Sequence, residues 1–241
     1  MKLLKNFTRS KNLKLGNPKL FLYNLICNIK LYNNMIINNF EKLNNILKFY
    51  TEDDFYMLQI IKRRKENPDM DKNSVAIKTV YLHRENQLLD LKDDLIDLAN
   101  KNNARIYLNP NRKSFKKCTL GCLKEFANRI EAENYYKPYK IFDAVAGACG
   151  SKNAVWVIDV DWADIDGVNV ENEFERKLYI NKLCEFVNSL QPIDVGWKIL
   201  LINQTKNGVH ILTTPFNIKD FMDKYKIQVH KNNPTLVWCG E

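Results

Sequence analysis

Two spacings of apolar residues alternate along the chain, one typical of strands and one typical of helices. The strand-like runs are short, rich in β-branched and aromatic residues, and bounded by turn-forming residues. They predict strands at 55–61, 76–82, 104–108, 154–160, 197–203, 208–213, 226–229 and 235–238. Helical spacing predicts helices within 40–50, 87–100, 115–132, 170–190 and 216–225. Strands mixed with helices, several of them in hairpins, predict an α+β fold with one mixed or antiparallel sheet and helices packed on it.

The first 38 residues differ from the rest of the chain. They are rich in Lys and Asn and contain no acidic residue. Four apolar side chains have the spacing of a short amphipathic helix: Leu20, Tyr23, Cys27 and Leu31. We therefore expect a basic leader over 1–38 that is weakly helical or loosely attached. Residues 39–241 are expected to form a single α+β domain, with a basic N-terminal half at 39–150 and a second half at 151–241.

Charge and cysteine usage narrow the class of protein. Among 241 residues, 37 Lys and Arg outnumber 28 Asp and Glu, which gives a net charge of +9. This excess favours a polyanionic partner, although a solvated basic surface without a partner is the alternative. The six cysteines form no CxxC pair, which indicates reduced thiols in the cytoplasm, or in the host cytoplasm if the protein is viral. The apolar stretch 20–37 is interrupted by Asn and Lys, so no membrane association is expected.

An acid pair ends the most strand-like segment. Asp159 and Asp161 are two positions apart, so both side chains are expected on one face of the strand. Two neighbouring carboxylates repel each other unless a cation lies between them, and oxygen ligands suit Mg²⁺ or Mn²⁺. The structural alternative is that one Asp caps the next turn and the other is solvated. An EF-hand pattern fails because Ala163 and Asp164 occupy its fifth and sixth positions, and an aspartyl phosphatase is disfavoured because Trp162 and Ala163 follow the pair.

A second candidate is the turn before His210. Gly208 and the three residues before it, Thr205, Lys206 and Asn207, suit a hairpin turn that can bind phosphate. The alternative is that His210 is a hydrogen-bonded core histidine. We predict that His210 lies within about 10 Å of both aspartates and on the same face of one sheet, close enough for a phosphate at the turn to reach a cation held by the acids.

Together these motifs resemble the archaeo-eukaryotic primase superfamily, especially small phage and plasmid primase-polymerases. The hhhDhD strand of that family matches 157–161, and its T-x-x-G-x-H-h turn matches 205–211, so the resemblance covers about 154–240. It implies an RRM-like catalytic core in which Asp159 and Asp161 bind Mg²⁺ or Mn²⁺ and His210 contacts the nucleotide phosphates. The third acid of the family falls at Gln228, which is a neutral amide.

Basic residues upstream fit a polyanionic ligand. One cluster, Arg63, Arg64 and Lys65, follows a predicted strand, and Arg112 and Lys113 follow another. Both clusters are expected around the cleft that holds the acids, because Lys and Arg bind phosphate well. Arg105 and Tyr107 alternate along a strand, as contacts to a base or a nucleic-acid backbone would require. The alternative for each cluster is an ordinary solvated surface.

The sequence therefore predicts a metal-dependent nucleotidyltransferase that resembles a primase-polymerase and acts in phage or mobile-element replication. Its partners would be nucleoside triphosphates, a single-stranded DNA or RNA template, and a helicase on a separate chain. The alternative is a catalytically decayed primase-like protein that binds nucleic acid or assists replication. A metal-dependent phosphoesterase is a third, more distant interpretation.

Overall fold

The computed structural model describes residues 36–71, 73–151, 153–169, 171–193 and 196–240. The predicted leader lies outside the described residues except for its last three, of which two form a strand. The strands are β1 (Ile37–Asn38), β2 (Asp54–Lys62), β3 (Val75–Leu82), β4 (Arg105–Leu108), β5 (Lys113–Ser114), β6 (Trp156–Asp161), β7 (Ile199–Gln204), β8 (Gly208–Thr213), β9 (Gln228–His230) and β10 (Thr235–Cys239). The helices are α1 (Phe40–Asn44), α2 (Gln87–Asp90), α3 (Lys92–Lys101), α4 (Phe115–Glu131), α5 (Ile141–Ala148), α6 (Glu173–Ser189) and α7 (Ile218–Lys224).

The α+β class is confirmed, but the strands form two antiparallel sheets where one was expected. The first sheet has the order β1-β10-β4-β2-β3, with β5 paired to the beginning of β2. The second has the order β7-β8-β6-β9. Its chain order is β6-α6-β7-β8-α7-β9, which is a β-α-β-β-α-β arrangement with β6 and β8 in the centre.

Alternation along the central strands gives the second sheet two different faces. Ile158, Val160, Val209 and Ile211 are fully buried and pack against α6 and α7. The opposite face carries Leu201 and Leu212, which join the apolar core of the first sheet. Asp159 and His210 follow on this same face, because side chains two positions apart on a strand point the same way.

The first sheet is covered by helices on both faces. Leu58 and Ile60 of β2 pack in a core with residues of α1, α2 and α3. The opposite face carries Phe55 and Met57, which pack against α4 and α5. Further along that same face, Ile61 of β2 pairs with Arg105 of β4. Both residues line a cavity at this end of the sheet.

Gly208 allows β8 to approach β6 closely. Its partner in the strand pairing is Asp161. A Cβ atom at position 208 would overlap the carbonyl oxygen of Val160 and lie 2.9 Å from the carbonyl carbon. Because the obstructing atoms belong to the backbone, no change of side-chain rotamer can relieve the overlap.

Gly208→Ala should therefore separate β6 from β8 and lower the free energy of unfolding by about 1–3 kcal/mol, as overpacking generally does. Gly147→Ala is the matched control, because a Cβ there meets no atom within 4 Å and helix propensity favours Ala over Gly. Urea unfolding of both variants measures the difference. Equal stability of the two variants would contradict the proposed close approach.

Candidate active site

A cavity of about 630 Å³ lies between the two sheets and collects most of the residues that the sequence singled out. The second sheet and its β7–β8 turn contribute one wall, and the first sheet contributes the other. The described residues that line it are Ile61, Arg63, Lys65, Glu66, Ser74, Arg105, Tyr107, Asp159, Asp161, Thr205, Lys206, Asn207, His210, Pro234 and Leu236.

The predicted convergence of Asp159 and His210 is confirmed. The two residues are direct partners in the pairing of β6 with β8, and His210 Nε2 lies 3.3 Å from Asp159 Oδ1. Asp161 lies two positions further along the same strand and lines the same cavity. Its Oδ1 accepts a hydrogen bond from the backbone N–H of Ala163 at 3.1 Å, so it also caps the short 3₁₀ turn Trp162–Asp164.

His210 is held from both of its ring nitrogens. The Asp159 carboxylate can only accept a hydrogen bond, so Nε2 carries the proton between them. Nδ1 lies 3.0 Å from the hydroxyl oxygen of Thr235, which also accepts from Asn203 Nδ2 at 2.7 Å. The Thr235 hydroxyl therefore bridges Asn203 and His210, and the contacts at both ring nitrogens fix the orientation of the imidazole ring.

The hydrogen bond from His210 lowers the pKa of Asp159 below its ordinary value of 3.8. Electrostatic interactions with His210, His230 and Arg63 lower this pKa further, while partial burial of the carboxyl opposes the shift. Asp159 is therefore held as an anion at the edge of the cavity.

Gln228 lies on the other side of Asp159. The two residues are direct partners in the pairing of β6 with β9, and Gln228 is exposed. Directly opposed residues of antiparallel strands share a face, so His210, Asp159 and Gln228 form one row across three strands. The neutral amide thus stands beside the acid pair on the strand where the resemblance expects a third carboxylate.

The turn before His210 forms part of the cavity wall. Thr205 N–H donates to the Gly208 carbonyl at 3.0 Å, and the Asn207 carbonyl accepts from Trp162 N–H at 3.0 Å. The first bond closes the turn, and the second attaches it to the segment that follows Asp161. Thr205, Lys206 and Asn207 all line the cavity that also contains His210.

The opposite wall is basic but carries one acid. Arg63 and Lys65 line the cavity, whereas Arg64 is exposed on the same turn and is not among the lining residues. Arg105 is buried, and its Nε donates to Glu66 Oε2 at 3.0 Å. Glu66 Oε1 also lies 3.7 Å from Arg63 Nη1. Glu66 therefore neutralises part of the charge that Arg63 and Arg105 present.

The prediction that Arg112 and Lys113 surround the cavity is wrong. Arg112 pairs with Asp54 at 3.3 Å and lies over the ring of Tyr50. Lys113 is buried and donates to the carbonyl of Cys149 at 2.8 Å. Both belong to the region where β5 pairs with the beginning of β2, whereas the cavity lies at the other end of β2. The separation along β2 is about 20 Å, six residues at about 3.4 Å each.

Sequence reasoning missed four polar residues of the site. Thr235 and Asn203 orient His210, while Glu66 and Ser74 line the cavity. Asn203 had a visible signal, because it is a polar residue that directly follows four apolar residues within a predicted strand. Glu66 follows a basic cluster, and its role depends on Arg105, which is 39 positions away in sequence.

Among the described residues, no three His, Cys, Asp and Glu side chains form a group that could hold a metal ion by themselves. Within the same part of the chain, no helix is both long enough and apolar enough to cross a membrane. No protein-family model, curated protein or solved structure matches this chain.

His210→Ala should raise the pKa of Asp159, because it removes the largest cause of the lowering. A carboxyl group whose pKa is lower in the folded state than in the unfolded chain stabilises the fold at pH values above its unfolded-state pKa. This stabilisation is lost as the pH falls through the folded-state pKa. The variant should lose less stability on acidification than the wild type. Carboxyl ¹³C NMR titration measures the shift, with the exposed His83→Ala as the matched control. An unchanged Asp159 titration in His210→Ala would contradict the assigned hydrogen bond.

Proposed function

We propose that this protein is a metal-dependent nucleotidyltransferase of the primase-polymerase type, which extends a nucleic-acid strand from nucleoside triphosphates. The observation that carries the proposal is the strand register that puts Asp159 beside His210 in a cavity with a basic opposite wall. The β-α-β-β-α-β order of the second sheet is consistent with an RRM-like catalytic core. The acid pair lies on the face of that sheet opposite α6 and α7.

The donor set fits one divalent cation. Asp159 and Asp161 offer hard oxygen ligands from one face of one strand, which suits Mg²⁺ or Mn²⁺. Each uses Oδ1 in the bonds described above, so its Oδ2 remains the candidate ligand. Gln228 adds an amide oxygen on the neighbouring strand, and nucleotide phosphates and water would complete the coordination. When bound, the cation would stabilise negative charge that develops on the phosphate under attack.

The side chains of the cavity would position the nucleotide. Lys206 and Lys65 approach from opposite walls and would neutralise the triphosphate, while Arg63 offers forked contacts to its oxygens. His210 would contact a phosphate oxygen through its Nε2 proton, in exchange for the bond to Asp159. The 3′-hydroxyl of the growing strand would attack the α-phosphate, and pyrophosphate would leave. A separate helicase would supply the single-stranded DNA or RNA template.

Gln228 favours a second candidate function. A neutral amide binds Mg²⁺ more weakly than a carboxylate does, and Gln228 stands directly beside Asp159. The same cavity without catalysis would serve a nucleic-acid-binding or replication accessory protein. The two candidates differ in a single observable, the incorporation of nucleotides.

Nucleotide incorporation tests the first candidate. Wild-type protein with a single-stranded template, labelled nucleotides and Mn²⁺ should yield labelled product. Asp159→Asn should reduce incorporation to background, and His210→Ala should reduce it roughly 10²-fold, the usual cost of losing one group that stabilises transition-state charge. The exposed helical variant Asp97→Asn is the matched control and should retain full activity. Incorporation that survives in Asp159→Asn would place the chemistry elsewhere.

Gln228→Asp should tighten Mn²⁺ binding roughly tenfold or more, because it adds a carboxylate beside Asp159. It should also raise incorporation. The wild type, with an amide at position 228, should depend on Mn²⁺ more strongly than Gln228→Asp does. Calorimetric titration with each ion measures affinity, and the neutral Gln228→Asn is the matched control. If Asp164→Ala weakened metal binding while Gln228→Asp changed nothing, Asp164 would be the third ligand and the role given to position 228 would be wrong.

A further inference from the structure

A surface rich in tyrosine and lysine follows the end of α4. Tyr135, Tyr136 and Tyr139 are 69%, 70% and 74% exposed, and Lys137 and Lys140 are exposed between and beside them. These five residues are called the tyrosine patch below. Three large aromatic side chains in one short segment, all mostly exposed, are unusual for a surface that contacts only water. The segment 134–140 contains no acidic residue.

The backbone of the tyrosine patch is attached to the last turn of α4. Asn134 N–H donates to the Arg129 carbonyl at 2.8 Å, and Arg129 Nη1 donates to the Tyr136 carbonyl at 3.1 Å. Pro138 begins a 3₁₀ turn that leads into α5. The Lys137 ammonium lies 4.7 Å from the centre of the Tyr136 ring. The rings are therefore exposed on a fixed backbone, which lowers the entropy cost of binding a flat partner.

We propose that the tyrosine patch binds the unpaired bases of single-stranded nucleic acid, and this inference rests on the proposed function because it places the strand that the active site would copy or extend. Every base has a π face that stacks on an aromatic ring regardless of sequence. Lys137 and Lys140 supply the charge that the phosphates between stacked bases require. The tyrosine patch thus combines rings that can stack on bases with ammonium groups that can pair with phosphates.

The position of α5 connects the tyrosine patch to the cavity. α5 begins directly after Lys140, and its Gly147 carbonyl accepts from Asn232 Nδ2 at 2.8 Å. Asn232 lies two positions before Pro234, which lines the cavity. Eight helical residues span about 12 Å, at 1.5 Å each. The tyrosine patch and Asn232 therefore lie at opposite ends of α5.

Fluorescence anisotropy with a labelled oligothymidine of about 16 nucleotides tests the proposal, since this length covers the usual site size of single-strand binding proteins. Replacing Tyr135, Tyr136 and Tyr139 together by Ala should weaken binding by at least about tenfold, whereas replacing all three by Phe should leave it within about twofold. Phe174→Ala is the matched control, because Phe174 is 72% exposed on a different helix. Lys137→Gln with Lys140→Gln should reduce the slope of log affinity against log salt by about 1.4, at about 0.7 per phosphate.

Three results would overturn the proposal: no binding of the oligonucleotide by the wild type, equal affinity of the triple Ala variant and Phe174→Ala, or equal weakening by the Phe and Ala triple variants. If sedimentation shows that the wild type is a dimer and that the triple Ala variant loses the dimer together with oligonucleotide binding, the tyrosine patch would contact a second copy of this chain instead. Binding of anionic vesicles in place of the oligonucleotide would assign it to a membrane surface.

The assay contains no nucleotide or metal, so it is independent of catalysis. If the wild type incorporates nucleotides and the triple Ala variant binds the oligonucleotide as well as the wild type does, only the role of the tyrosine patch is rejected. If the triple Ala variant loses binding but the wild type incorporates no nucleotide, only the enzymatic function is rejected.

Discussion

The pairing of β6 with β8 is the constraint on which the site depends. Gly208 lets the two backbones approach at Asp161, and from that point the register places His210 opposite Asp159. A shift of β8 by one residue against β6 would move His210 to the face that packs on α6 and α7 and separate it from Asp159. Ile158 and Ile211 are fully buried on that face, so apolar packing stabilises the same register that assembles the acid–histidine pair. Stability and site geometry are thus set by one alignment of two strands.

The cavity divides its charges between the two sheets. Asp159 and Asp161 come from the second sheet, while Arg63, Lys65 and Arg105 come from the first sheet and the turn after β2. A phosphate-rich ligand bound with a cation would satisfy both walls, because its oxygens attract the basic side chains and its cation attracts the acids. Without such a ligand, Glu66 and His210 partly neutralise the two walls. When the ligand binds, Glu66 would share Arg105 with the phosphates, and His210 would share Asp159 with the cation.

Local pattern predicted most of the fold, and long-range pairing accounts for most of what it missed. The strand predicted at 55–61 is observed as Asp54–Lys62, and the helix predicted at 115–132 as Phe115–Glu131. α5 was missed because it is only eight residues long and half of it is Ala and Gly, so it offers barely two turns of helical pattern. The division into two sheets depends on which strands pair, and hydrophobic alternation does not specify the partner of a strand.

The same limit explains the mixed outcome for the basic clusters. Position at the end of a strand placed Arg63 correctly, because β2 ends beside β4 at the cavity. It failed for Arg112 and Lys113, because the chain after β4 returns to the opposite end of β2. Asp159 and His210 are 51 positions apart, and each motif alone is too common to indicate a site, whereas the two in this order indicate one. Strand alternation then predicted that both side chains lie on one face, where their contact is observed.

Three buried polar residues between the sheets, Asn39, Asn203 and Thr235, link the acidic wall of the cavity to the basic wall. They are called the polar seam. Asn39 Nδ2 donates to the carbonyls of Gln204 and Leu236 at 2.9 and 3.1 Å, which joins β7 to β10 beside the cavity. Loss of one partner would leave another buried group unpaired, at a cost of about 1–3 kcal/mol, so the seam resists sliding of one sheet over the other. Apolar contacts alone would allow such sliding, because they have no preferred direction. The distance between the acid pair on one wall and the basic side chains on the other is therefore set by hydrogen bonds of the polar seam, whose three residues lie outside the cavity lining.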